Sequence, residues 1–148
     1  MTIIVPFDGG TLSKAALRRA GELGAVFDER VVAVSVIPNS NERYARNRGW
    51  LEEGEPFDPE VIISSLSMQV YTLVPEATFE YEVVSRYAQA GEIASKLRRI
   101  ARRSEASLVV IGSDNAGQIV SSVSSVGSSV AADDAYDVMI VRHDRNRE

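Results

Sequence analysis

Residues 31–37 read Val31-Val32-Ala33-Val34-Ser35-Val36-Ile37. The run is nearly all apolar and mostly β-branched. It lacks the alternation of a strand with one wet face, so it predicts a strand covered on both sides, as in a parallel sheet. Upstream, Ile3-Ile4-Val5 is a second buried strand running into Pro6-Phe7-Asp8-Gly9-Gly10. Proline cannot donate to a ladder and fits a strand's end, and the two glycines mark a turn. Downstream, Leu108–Ile111 is a further strand that stops at Gly112-Ser113, and Val138–Val141 is the last. Phe79–Val84 (FEYEVV) alternates, which predicts a sheet edge with one more exposed face.

Helical spacing fills the gaps. After Thr11 or Ser13 as N-cap, Ala16, Ala20, Leu23 and Phe27 recur on one face, with Leu17 and Gly24 beside them. The small residues Ala16, Ala20 and Gly24 favour close approach to a sheet. Asp58-Pro59-Glu60 combines a cap, a proline for the first turn and an acid at the positive end of the helix dipole. Ile62, Leu66, Val70 and Leu73 form the stripe that follows. Ala90-Gly91-Glu92 opens another helix, with Ile93, Leu97, Ile100 and Ala101 inward, and Val123, Val126 and Val130 fit a closing one. The order βαβαβαβαβ predicts an α/β fold, a parallel sheet with right-handed crossovers in one domain spanning 1–148. Residues 39–57 form a long polar loop, either functional or mobile, and 143–148 a charged tail. Ligands of such folds sit beyond the strand ends at the switch of strand order, here facing Asp8–Gly10, Val36–Pro38 and Gly112–Gly117.

Composition removes whole classes of function. The net charge is −5 with pI near 5.0, whereas nucleic-acid binding needs a basic footprint. There is no cysteine, so neither thiol catalysis nor a thiolate zinc site is available. No apolar run reaches the roughly 18–20 residues of a membrane span. The start MTIIVPFDGG lacks the basic and cleavable apolar parts of a signal peptide, so a cytoplasmic location is expected. His143 stands alone and reads as a solvated residue. Asp133-Asp134 point apart on a helix. Arg98, Arg99, Arg102 and Arg103 read as a solvated basic strip.

Three segments together resemble the universal stress protein family. Val5–Leu17 (VPFDGGTLSKAAL) is similar to its opening strand, Pro-x-Asp-Gly-Ser turn and Ala-rich helix. Ala106–Ser113 (ASLVVIGS) is similar to its strand ending in Gly-Ser, and Asp137–Arg142 (DVMIVR) to its closing strand. The resemblance implies a three-layer, doubly wound, Rossmann-like sheet of the adenine-nucleotide-hydrolase type, order 3-2-1-4-5. It also implies a homodimer pairing through Val138, Met139, Ile140 and Val141, and ATP with Mg²⁺ as cofactor. The family's nucleotide motif is Gly, two residues, Gly, nine residues, Gly, then Ser or Thr. Its glycines let backbone amides approach phosphate at a helix N-terminus. Here Gly112 matches the first glycine, but Asn115 stands at the second and the motif is degenerate. Either Ser124-Ser125 takes the Gly-Ser place with one residue deleted upstream, or Gly117, nine residues on to Gly127-Ser128, does. Asp114 adds a carboxylate that repels a triphosphate unless Mg²⁺ bridges the two, and no Lys or Arg lies between Gly112 and Arg142.

The nominated nucleotide-binding residues are Pro6, Asp8, Val36, Gly112, Ser113, Gly117, Ser124 and Ser125, with no catalytic or metal residue. Asp8 is either a ribose or adenine acceptor or a turn acceptor. Val36 packs on a base or belongs to the core. The serine run 121–125 cradles an anion or packs closely. Trp50, near Arg48, covers a ligand or a subunit contact. The functional expectation is a homodimeric regulatory stress-response domain with weak or no ATP binding. The alternatives are an ATP- or AMP-binding sensor and, behind it, a nucleotide hydrolase.

Overall fold

The computed structural model describes residues 1–119 and 135–144. The expected closing helix lies outside them, as do Ser124, Ser125 and Asp133-Asp134. Five strands form one parallel sheet: β1 (Thr2–Pro6), β2 (Arg30–Pro38), β3 (Thr78–Val84), β4 (Ala106–Gly112) and β5 (Asp137–Val141). Their order is β3-β2-β1-β4-β5, as expected from the resemblance. The chain reverses direction across the sheet between β2 and β4, so the switch point lies at the C-terminal end of β1.

Helices cover both faces. On one side lie α1 (Thr11–Phe27) and α3 (Pro59–Leu73), on the other α4 (Ala90–Arg103). Alternation along the central strands feeds the two layers. Ile3, Val5, Val31, Ala33 and Ile37 pack with Leu17, Leu66 and Val70, whereas Ile4, Val32, Val34 and Val36 pack with Ile93, Leu97 and Ile100. The near-continuous apolarity of residues 31–37 is this two-sided burial. Asp58 caps α3, its side chain accepting from the Glu60 amide at 3.1 Å.

Three expectations need correction. The N-cap of α1 is Gly10 rather than Thr11 or Ser13, and it supplies no side-chain bond. Ser13 faces inward instead, donating to the Gly10 carbonyl and accepting from the Asp8 amide. Phe27 is not on the buried stripe. It is 63% exposed, as the last residue of α1, where the chain turns away through the left-handed C-cap Asp28. The loop 39–57 holds a short helix, α2 (Glu42–Asn47), capped by Asn41, whose side chain accepts from the Tyr44 amide at 3.0 Å. Ala45 and Leu51 are buried in the α1/α3 layer, so residues 41–51 form a strap pegged to the fold at both ends.

The small-residue stripe on α1 does what its spacing predicts. A Cβ at Gly24 would stand 2.8 Å from the Glu29 carbonyl oxygen and 2.8 Å from Val31 Cγ2. Gly24→Ala is therefore expected to destabilise the fold by ~1–3 kcal/mol through overpacking, despite the ~1 kcal/mol that alanine normally gains in a helix. Thermal melting checks this, and a raised Tm would refute the close packing.

Candidate functional site

β1 delivers its terminal residues to the switch point. Beyond Pro6 the chain stays attached to β2, with the Phe7 amide donating to the Val34 carbonyl at 2.8 Å and Ser35 Oγ donating to the Phe7 carbonyl. Asp8 comes next, and its carboxylate is the hub of the site. Oδ1 accepts from the Gly10 amide at 2.8 Å, which is the turn-acceptor role. Oδ2 accepts from Arg48 Nη1 at 2.6 Å and from Asn115 Nδ2 at 2.8 Å. Arg48 Nη1 also donates to Asn115 Oδ1 at 3.0 Å. Three residues separated by 40 and 107 positions in sequence thus close a ring of charge-assisted hydrogen bonds.

The strap supplies the roof. Trp50 Nε1 donates to the Asp8 carbonyl at 2.8 Å. The Arg48 guanidinium sits 4.8 Å from the Tyr44 ring centroid, and Tyr44 meets Trp50 at 5.6 Å. Beneath lie Pro6, Phe7, Val34, Val36, Ile93 and Leu97, and between floor and roof about 20 Å³ remains. That is room for about one water. The space between these described residues is therefore smaller than a nucleotide.

Among the nominated residues, Pro6, Asp8 and Val36 line this one cavity. Gly112, Ser113 and Gly117 lie beside it, at the end of β4 and in the 3-10 turn Ala116–Gln118, without lining it. Gly112 is required by packing: a Cβ there would meet Leu12 Cβ at 2.9 Å and the Leu12 carbonyl carbon at 3.0 Å. The Ser113 amide donates to the Val141 carbonyl at 2.8 Å, the Asn115 amide to Gly112 at 3.0 Å and the Ile119 amide to Ala116 at 3.0 Å. These three amides are committed to carbonyls. Asp114 is exposed. On α4, Lys96 and Arg103 face Glu82 of β3 at 3.3 and 3.9 Å, so one residue of the basic strip, Arg103, reaches the sheet edge.

Sequence reasoning did not find Arg48 as a partner of Asp8, nor Asn115 as more than a departure from a motif. The available signals were a long polar loop carrying Tyr44, Arg48 and Trp50, and an amide side chain where glycine is expected.

Burial pushes the Asp8 pKa up. Hydrogen bonds from Asn115, the Gly10 amide, Ser13 and Arg48 outweigh it and hold the carboxyl below the ordinary range. Burial also raises the Tyr44 phenol, which keeps its proton at neutral pH. Asp8 titrates near 3.9 when unfolded. Its contribution to stability is therefore complete above about pH 4 and drains away as pH falls through the lower folded value. Asp8→Asn is expected to cost ~1–3 kcal/mol at pH 7. It should also lose less stability than wild type as pH falls below about 4, because it lacks this titration. Denaturant melts at a series of pH values measure both, and parallel curves for the two proteins would refute the assignment.

The profile of the universal stress protein family matches residues 1–142. A solved universal stress protein in complex with cAMP superposes with TM-score 0.58 and 22% identity, over 97% of this chain and 97% of that one. A universal stress protein from Archaeoglobus fulgidus gives TM-score 0.56 and 18% identity, over 96% of this chain and 93% of that one. One from the same organism in complex with dAMP gives 0.51 and 15%, over 95% and 96%. No curated protein sequence matches the chain. At these identities the structural likeness speaks for the fold. The profile match over most of the chain goes further, and with the strand order 3-2-1-4-5 it shows that this chain belongs to the universal stress protein family.

Proposed function

We propose that this chain is a regulatory stress-response domain that binds ATP weakly or not at all in its resting state and works as a homodimer through β5. The filled cleft carries the reading. About 20 Å³ remains under Arg48 and Trp50, far below the roughly 300 Å³ at which small-molecule sites begin. The committed amides after β4 and the carboxylates of Asp8 and Asp114 support it from the phosphate side. A triphosphate placed there would meet like charge with no Lys or Arg from Gly112 to Arg142.

The dimer rests on the sheet edge. Among the described residues β5 pairs only with β4, and Met139 and Ile140 are 36% and 42% exposed. An apolar edge strand left uncovered is an aggregation hazard, and a second copy paired along it removes that hazard.

A second reading is an adenine-mononucleotide sensor in the same cleft. The relatives solved with cAMP and dAMP and the intact apolar floor under the strap favour it. Calorimetric titration separates the two readings. Wild type is expected to show no saturable binding of Mg²⁺-ATP below millimolar concentration, and micromolar affinity would overturn the closed-cleft reading. Light scattering is expected to give a dimer for wild type at micromolar concentration and a monomer for Ile140→Lys. A monomeric wild type would overturn the dimer.

A further inference from the structure

The closed cleft has one removable part. We propose that the Arg48 guanidinium is a tethered competitor for an uncharged nucleoside, which enters the slot at the end of β1 when Arg48 swings out. This deepens the closed-cleft reading and rests on it.

The tether is local. Ala45 and Leu51 are buried on either side of Arg48, and the Trp50 amide is bonded to the Ala45 carbonyl at 2.8 Å. Opening begins with rotation of one long side chain. Because only about 20 Å³ lies free beneath the strap, the Tyr44 and Trp50 rings that roof the slot beside it turn aside with it, while the pegged backbone stays in place. The pair to be broken is part-exposed, with side-chain exposures of 24% for Arg48 and 16% for Asp8. A departing guanidinium regains water, so its release costs less than that of a fully buried ion.

The chemistry left behind selects the guest. Asp8 Oδ2 keeps the Asn115 donor and loses the cation. A vicinal diol supplies neutral O–H donors to that oxygen in the cation's place. Val34, Val36, Ile93 and Leu97 form an apolar floor for a flat heteroaromatic ring. Charge argues against added phosphates. Asp8 and Asp114 are both carboxylates, and the departing Arg48 is the only cation lining the cleft among the described residues. Each phosphate brings repulsion that a nucleoside avoids.

The test compares adenosine binding to full-length wild type and Arg48→Ala by calorimetry. Emission of Trp50, the sole tryptophan, reports occupancy beside the Asp8 carbonyl. Circular dichroism establishes that the variant is folded. Arg48→Ala is expected to bind adenosine at least tenfold more tightly than wild type, with a shift in Trp50 emission. ATP is expected to bind more weakly than adenosine in both proteins. If Arg48→Ala does not fold, Arg48→Gln gives the same comparison, keeping a long polar side chain without charge. A folded variant that binds adenosine no more tightly than wild type overturns the competition. ATP outranking adenosine overturns the choice of ligand. Tight Mg²⁺-ATP binding by wild type would instead refute the closed cleft itself, and wild type alone reads that outcome.

Discussion

A carboxylate at the end of a central strand, roofed from water, must find donors or give up its charge. Asp8 is that carboxylate, and much around the switch point is arranged as its donors. The Gly10 amide bonds it where α1 begins, Asn115 reaches it from beyond β4, and Arg48 reaches it from the strap. Each donor belongs to a different crossover connection. One side chain thus pins three segments that the sheet brings near each other but does not itself join.

The same constraint explains why the cleft is full. An arginine on a polar loop would ordinarily remain in water. Here it gains a carboxylate, an amide oxygen and an aromatic face in one place, and the loop around it is pegged by Ala45 and Leu51. The hydrogen-bonding capacity of Asp8 is used within the chain. The parallel sheet creates the crevice wherever strand order reverses. What fills the crevice is decided by a few side chains, so fold alone does not assign function.

Legibility follows the range of each interaction. The strands and α3 were readable because their signals are local: a two-sided apolar run at 31–37, and Asp58-Pro59-Glu60 before a 3.6-residue stripe. Phe79–Val84 showed its edge position by alternation. Phe27 misled because periodicity reports a helix face but not where the helix ends, and Phe27 is its last residue before the left-handed C-cap Asp28. Gly10 as the cap of α1 was hidden because it makes no side-chain bond and leaves Ser13 free to turn inward. The Asp8–Arg48–Asn115 ring was not legible because its members meet only after three crossovers are complete. No spacing rule links an aspartate to an arginine 40 residues on.

Asn115 and Arg48 are best understood as one feature. With glycine at 115, as the family motif has it, Arg48 would lose an acceptor at 3.0 Å and Asp8 a donor at 2.8 Å. The guanidinium would then face the carboxylate alone and be held less rigidly. With asparagine but no Arg48, the carboxamide oxygen would lose its cationic partner and the roof its charge. Residues this tightly coupled contribute non-additively, so their joint effect exceeds what either substitution suggests. Asn115 therefore has a structural role of its own. It completes the ring of hydrogen bonds that keeps the strap in the cleft.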